Sequence, residues 1–96
     1  MERKIAHRDI KPENILCKTD VDEQNAYIKL ADFGLTVDLQ QDPTCYDVCG
    51  TDGFKAPEIM DNLEGYNGFV SDVWSLGITM LLFLNEGNFP WKISKI

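Results

Sequence analysis

The stretch HRDIKPEN, residues 7–14, concentrates side chains that could do chemistry: a histidine, two basic groups, two carboxylates and an amide. Asp9 and Asn14 come from this stretch, and Asp32 follows one hairpin later in DFG. If that hairpin folds, two carboxylates and an amide oxygen converge beside Lys11. A few hard oxygen ligands suit Mg²⁺, which takes its remaining ligands from water and from a phosphorylated substrate. A nearby free carboxylate could accept a proton from an incoming hydroxyl, so the pattern favours phosphoryl transfer.

Two short strands must position these groups. Residues 14–17 (NILC) and 26–30 (AYIKL) are rich in branched and aromatic side chains, which favours strands. The polar residues 18–25 between them predict an exposed hairpin loop. Residues 31–55 have no sustained periodicity and predict a long loop of the kind that is usually functional.

Two helices are predicted after this loop. Pro57 can open a short helix over residues 57–63. For the second helix, Ser71 is a candidate N-cap, Asp72 lies in the first turn and Gly87 is a candidate stop. Its apolar run, residues 73–84, covers nearly every face, which is typical of a helix buried on all sides. Residues 1–96 nevertheless offer too few other elements to cover it. The run is shorter than the roughly 20 residues that span a bilayer.

Composition limits the class of protein. The chain has 96 residues, is 44% hydrophobic and 26% charged, and carries a net charge of −7. These values predict one folded domain and argue against nucleic-acid or membrane-surface partners, which need clustered Lys and Arg. Cys17, Cys45 and Cys49 form no CxxC pair. We expect reduced thiols, no signal peptide and a cytoplasmic or nuclear location.

Four ordered motifs carry a resemblance to a known family. HRDIKPEN, DFG at 32–34, APE at 56–58 and SDVWSLGI at 71–78 together resemble a eukaryotic-type protein kinase of the serine/threonine class. The resemblance implies an α+β fold that is part of a kinase C-lobe: a short β-hairpin, an activation loop and buried α-helices. It implies ATP and Mg²⁺ as cofactors and a protein serine or threonine as substrate.

The resemblance also implies catalytic roles. Asp9 would be the base that deprotonates the substrate hydroxyl, and Lys11 would contact the transferred phosphate. Asn14 and Asp32 would hold the Mg²⁺ ions that bridge the ATP phosphates. Thr51 would help to hold the catalytic loop and form the floor of the substrate site.

Structural roles are implied for a further set of residues. By resemblance, His7 and Phe33 would stack on each other, and Gly34 completes the DFG motif. Glu58 would pair with a distant arginine. Asp72 would anchor the catalytic loop. For two of them a simpler reading stays open. His7 could be an ordinary structural histidine, and Asp72 only a first-turn helix carboxylate.

Arg8, directly before Asp9, bears on regulation. Kinases with this arginine are commonly controlled by an activation-loop phosphate, to which arginine binds well. The hypothesis is that an upstream kinase phosphorylates Thr44 or Tyr46. The acidic neighbours Asp42 and Asp47 would repel such a phosphate.

Some features depart from the family pattern. Asp52 stands where proline is usual, and Phe54 where tyrosine is usual, which bears on peptide preference. No glycine-rich loop or V-A-I-K lysine precedes residue 7. We therefore expect residues 1–96 to be a partial kinase domain, the C-lobe core without the N-lobe and the late C-lobe helices, and the isolated chain to be inactive.

Two alternatives remain. The chain could be a non-catalytic, kinase-like interaction or regulatory protein that binds a partner through its exposed apolar helix. The intact set of Asp9, Asn14 and Asp32 speaks against this. A small-molecule kinase is the second alternative, and Lys11 and the APE motif disfavour it.

Overall fold

The computed structural model describes residues 4–19, 25–61 and 63–89. Its elements form an α+β arrangement of short antiparallel strand pairs and one main helix, which confirms the predicted class. In chain order they are β1 (Ile5–Ala6), a single 3-10 turn (Pro12–Asn14), β2 (Ile15–Thr19), β3 (Ala26–Leu30), β4 (Val37–Asp38), β5 (Thr44–Cys45), α1 (Pro57–Met60), β6 (Tyr66–Asn67) and α2 (Gly68–Leu84).

The predicted hairpin is formed by β2 and β3. The two strands pair antiparallel from Ile15 opposite Leu30 to Thr19 opposite Ala26. The second strand has the predicted bounds, whereas the first begins one residue late and extends to Thr19. The reason is that Pro12 favours a turn, which takes in Asn14. Residues 20–24 of the predicted loop lie outside the described residues.

Two further strand pairs lie in places where the sequence predicts no strand. β1 pairs with β4, and β5 pairs with β6, both antiparallel. Each strand has two residues, which is too short to show the alternation that identifies a strand in sequence. These pairs connect the predicted long loop to the start of the chain and to the start of α2.

The start of α2 differs from the prediction. Asn67, not Ser71, is the N-cap, since its side-chain Oδ1 accepts hydrogen bonds from the backbone N–H groups of Phe69 (2.9 Å) and Val70 (3.1 Å). Ser71 is buried inside the helix and donates to the carbonyl of Gly68. The predicted stop is confirmed: the helix ends at Leu84, and Gly87 adopts a positive φ of 83°.

Only one side of α2 is buried by the described residues, as expected where too few elements surround the helix to cover every face. Its inner side carries Ser75, Ile78 and Thr79, all buried. Phe83 and Leu84 are 64% and 81% exposed. The physical reason is that the described strands and loops pack against one side of the helix. None of the helices in the described ranges is long and apolar enough to cross a membrane.

The buried apolar side chains form two small clusters. One joins β5, β6 and α1 and contains Cys45, Ala56, Ile59 and Tyr66. The other joins α2 to the loop before α1 and contains Phe54, Ile78 and Leu82. Phe54 and Ala56 belong to the segment that follows Thr51, so the two clusters anchor this segment to α2 and to α1, respectively.

Candidate functional site

The carboxylate of Asp9 lies at the centre of a directional hydrogen-bond chain. The Thr51 hydroxyl donates to Asp9 Oδ1 at 2.7 Å and accepts a hydrogen bond from Lys11 Nζ at 2.9 Å. Lys11 Nζ also lies 3.9 Å from Asp9 Oδ2, within ion-pair distance. The Asp9 side chain is largely buried, so these interactions act in an environment that strengthens them. The structure thus brings three of the predicted site residues into contact.

Asn14 joins the same network from the 3-10 turn. Its Nδ2 donates to the backbone carbonyl of Asp9 at 2.8 Å and lies 3.5 Å from Asp9 Oδ2. The turn itself is closed by the Asn14 N–H, which donates to the carbonyl of Lys11. Because Nδ2 faces Asp9, the amide orientation is set and Oδ1 remains as an acceptor.

Asp72 holds the backbone of the HRDIKPEN stretch in place. Its two carboxylate oxygens accept hydrogen bonds from the backbone N–H groups of His7 (2.7 Å) and Arg8 (2.8 Å). Arg8 has a φ of 70°, a left-handed conformation that is rare outside glycine and asparagine. Such strain is common at functional sites and persists where surrounding contacts enforce it. Asp72 lies in the second turn of α2, because the helix begins earlier than predicted.

The His7 ring connects this stretch to the DFG segment. Its Nδ1 accepts a hydrogen bond from the backbone N–H of Asp9 at 3.2 Å, and its Nε2 lies 2.8 Å from the carbonyl of Ala31. A carbonyl can only accept, so this geometry requires the proton on Nε2. The ring also meets Phe33 edge-on, with centroids 5.6 Å apart.

Asp32 lies next to this network but is not hydrogen-bonded to it. The adjacent Ala31 donates its N–H to the carbonyl of Asn14 at 2.8 Å. Asp32 itself has a φ of 58°, is exposed, and accepts a 3.3 Å hydrogen bond from the N–H of Gly34. In the described ranges, no hydrogen bond or ion pair joins Asp32 to Asp9 or Asn14, and no cluster of three or more His, Cys, Asp or Glu could hold a metal.

Arg8 reaches two segments beyond its own loop. Its Nε donates to the carbonyl of Leu35 at 2.7 Å, and its Nη1 lies 3.4 Å from Asp47 Oδ2. Burial opposes the charge of Arg8, but its interactions with Cys49, Tyr66 and Asp47 outweigh that cost and raise the pKa of the guanidinium. From the sequence alone, Asp47 is expected only to repel a phosphate on Thr44 or Tyr46. The signal that could have singled it out is its position as an acid between DFG and APE.

Comparison with known proteins identifies the family. The family model described as "Protein kinase domain" matches residues 1–95. The chain belongs to the protein kinase family.

The similar curated proteins are protein kinases by name, and several are named as serine/threonine-protein kinases. CBL-interacting serine/threonine-protein kinase 15 of Arabidopsis thaliana is 36% identical over 97 residues, covering 98% of this chain and 21% of its own length. CBL-interacting protein kinase 5 of Oryza sativa subsp. japonica is 40% identical, with 98% and 20% covered. Serine/threonine-protein kinase CHK1 of Saccharomyces cerevisiae is 40% identical, with 96% and 17% covered. This chain therefore spans about a fifth of the length of these kinases.

The remaining predicted site residues of this kinase-family chain lie outside the Asp9 network. Thr44 is in β5, where its N–H donates to Asp42 Oδ1 at 3.0 Å, and hydrogen bonds from Thr44 lower the pKa of Asp42. Tyr46 is exposed. Glu58 lies in the first turn of α1, and no ion pair joins it to another described residue. Phosphorylation of Thr44 or Tyr46 stays a prediction.

Proposed function

We propose that this chain contains the catalytic loop of a protein serine/threonine kinase that transfers the γ-phosphate of ATP to a protein hydroxyl. Residues 1–96 would supply the C-lobe core, and the activity would belong to the full-length protein. The observation that carries the proposal is the hydrogen-bond chain from Lys11 through Thr51 to Asp9. It places a carboxylate and a cation side by side, as phosphoryl transfer to a hydroxyl requires.

Asp9 would act through Oδ2. Thr51 donates a short 2.7 Å hydrogen bond to Oδ1, whereas Asn14 Nδ2 lies 3.5 Å from Oδ2, so Oδ2 is the more available oxygen to accept the proton of a substrate serine or threonine. As that hydroxyl oxygen bonds to the γ-phosphorus, the bond from phosphorus to the β–γ bridging oxygen breaks and ADP leaves. Lys11, 3.9 Å from Oδ2, would neutralise charge on the transferred phosphate.

The side chains proposed to hold Mg²⁺ fit its chemistry. Asn14 offers an amide oxygen, since its nitrogen is committed to Asp9, and Asp32 offers an exposed carboxylate. Both are hard oxygen donors, and Mg²⁺ commonly binds few protein ligands while keeping water and phosphate oxygens. When bound, the ion would neutralise charge on the ATP phosphates.

The test compares variants of the full-length protein in a Mg²⁺-dependent phosphotransfer assay with a serine/threonine peptide mixture. Asp9→Asn keeps the shape of the side chain but is a far weaker base, so we expect kcat to fall by about 10²–10⁴-fold. Asp32→Ala should also remove nearly all activity. Asp38→Asn, the same change of charge on an exposed strand residue, should have no effect. Normal activity of Asp9→Asn would falsify the proposal.

One observation favours a second candidate, a non-catalytic interaction protein. The outer side of α2 exposes large apolar side chains, including Val73 and Phe83, and exposed apolar patches often mark interaction sites. In that case the full-length protein would show no phosphotransfer, and Asp9→Asn would leave its cellular role intact.

A further inference from the structure

The guanidinium of Arg8 lies where three parts of the chain meet. The Arg8 side chain is only 7% exposed, and Arg8 directly precedes Asp9 in sequence. Through Nε it binds the carbonyl of Leu35, just after DFG, and through Nη1 it reaches the carboxylate of Asp47 in the activation segment, residues 35–55. The position of Arg8 is therefore coupled to both the catalytic loop and the activation segment.

A charge buried to this extent needs a counter-charge, because desolvation of an unpaired ion is costly. Among the described residues, the acidic side chain within ion-pair distance of Arg8 is Asp47, at 3.4 Å. Cys49 and Tyr66 also interact with Arg8, but thiols and phenols are ordinarily uncharged at neutral pH. Asp47 therefore supplies the negative charge that Arg8 requires.

Asp47 is held beside Arg8 by its backbone. The hydroxyl of Tyr66 donates to the backbone carbonyl of Asp47 at 2.7 Å. Tyr66 is itself buried in β6, where it pairs with Cys45. The Asp47 carboxylate is 75% exposed, so it can face Arg8 without a large desolvation cost.

We propose that Asp47 is a positioning residue that neutralises Arg8 and orders the activation segment against the catalytic loop without a phosphate. Its carboxylate takes the role that a phosphate on this segment would otherwise have. The inference rests on the proposed kinase function and adds its mode of regulation. It implies that the unphosphorylated protein is active, and that phosphate on Thr44 or Tyr46 is not needed to satisfy Arg8.

The experiment uses the full-length protein, freed of phosphate with a phosphatase and checked by mass spectrometry. Wild type should keep its kcat within about twofold after this treatment. Asp47→Asn should lower kcat by about tenfold with the KM for ATP unchanged, since an ion-pair hydrogen bond is lost. Asp47→Glu should restore most of kcat, and Asp38→Asn should match wild type. Loss of wild-type activity on dephosphorylation, or a fully active Asp47→Asn, would overturn the inference.

A second measurement separates this inference from the proposed function. If wild type and Asp9→Asn do not differ, the kinase proposal fails, whatever Asp47 does. Limited proteolysis then tests whether Asp47 orders the activation segment. The Asp47→Asn variant should be cleaved between residues 39 and 53 at least about threefold faster than wild type and faster than the Asp38→Asn variant by the same factor. Equal cleavage rates in all three proteins would contradict an ordering role for Asp47.

Discussion

At the scale of single residues, Thr51 holds the Asp9 network together. Its hydroxyl donates to Asp9 at 2.7 Å and accepts from Lys11 at 2.9 Å, so one group orients both the proposed base and the proposed cation. Hydrogen bonds to charged groups contribute about 1.5–3 kcal/mol each. Removal of this hydroxyl should therefore disturb both partners at once.

Thr51→Val replaces the hydroxyl by a methyl group of similar size. We expect kcat of the full-length protein to fall by about 10–100-fold, since 1.4 kcal/mol corresponds to about a factor of ten, while Thr51→Ser should retain most activity. Steady-state kinetics with ATP and peptide would measure both. Thr36→Val is the matched control, because the buried Thr36 hydroxyl has no hydrogen-bond partner among the described residues. Equal kcat for Thr51→Val and wild type would show that the hydroxyl does not orient Asp9.

At the scale of elements, the start of α2 sets where Asp72 lies. Asn67 ends β6 and caps the helix, so the helix begins four residues earlier than a cap at Ser71 would allow. Gly68, the first residue of the helix, packs closely against Leu39 and Ala6. A side-chain Cβ atom added at Gly68 would lie 2.8 Å from Leu39 Cδ1 and 3.1 Å from Ala6 Cβ. This close packing brings the helix near β1, and the Asp72 carboxylate within reach of His7 and Arg8.

Asn67→Ala should therefore destabilise the protein. Loss of an N-cap side chain costs about 1 kcal/mol, within a range of roughly 0.5–2. Urea unfolding followed by far-UV circular dichroism should show a lower midpoint with an unchanged slope. Asn67→Asp keeps an accepting oxygen and should resemble wild type, as should Asn88→Ala on the exposed turn after the helix. A midpoint for Asn67→Ala equal to that of wild type would argue against this cap.

At the scale of the whole molecule, Tyr66 links the larger buried cluster to the activation segment. Its ring is buried among Cys45, Ala56 and Ile59, and its hydroxyl reaches the backbone of Asp47. The pKa of Tyr66 is raised to about 12, chiefly by burial of the phenol and secondly by the hydrogen bond with Cys49. An unfolded tyrosine titrates near 10.

This shift predicts a loss of stability at alkaline pH. Because the folded state holds the Tyr66 proton more tightly, its contribution is fully present below about pH 10 and is lost as pH rises towards about 12. The Tyr66→Phe variant should be less stable than wild type at pH 7, since a hydrogen bond is lost. Between pH 10 and 12, the free energy of unfolding of this variant should fall less than that of wild type. Tyr27→Phe, which alters an exposed ring, is the control. Parallel pH profiles for wild type and Tyr66→Phe would contradict the shift.

The parts of the fold that depend on interactions between residues close together in sequence were largely predictable. The strand Ala26–Leu30 follows from its branched and aromatic side chains, the helix opening at Pro57 from the missing N–H of proline, and the end of α2 from Gly87. The motifs on which the resemblance to the kinase family rests are likewise contiguous in sequence. The two-residue strands and the cap at Asn67 were missed, because each depends on what the chain meets far away in sequence.

The sequence by itself determined the residue types of the candidate site and the family to which they belong. Only the tertiary structure decided which of them touch: Thr51 meets Asp9 across 42 residues, and Asp47 meets Arg8 across 39. Local patterns are set by interactions within a few residues, which a sequence displays directly. Contacts at such long separation depend on the path of the whole chain between them, and the sequence pattern does not record that path.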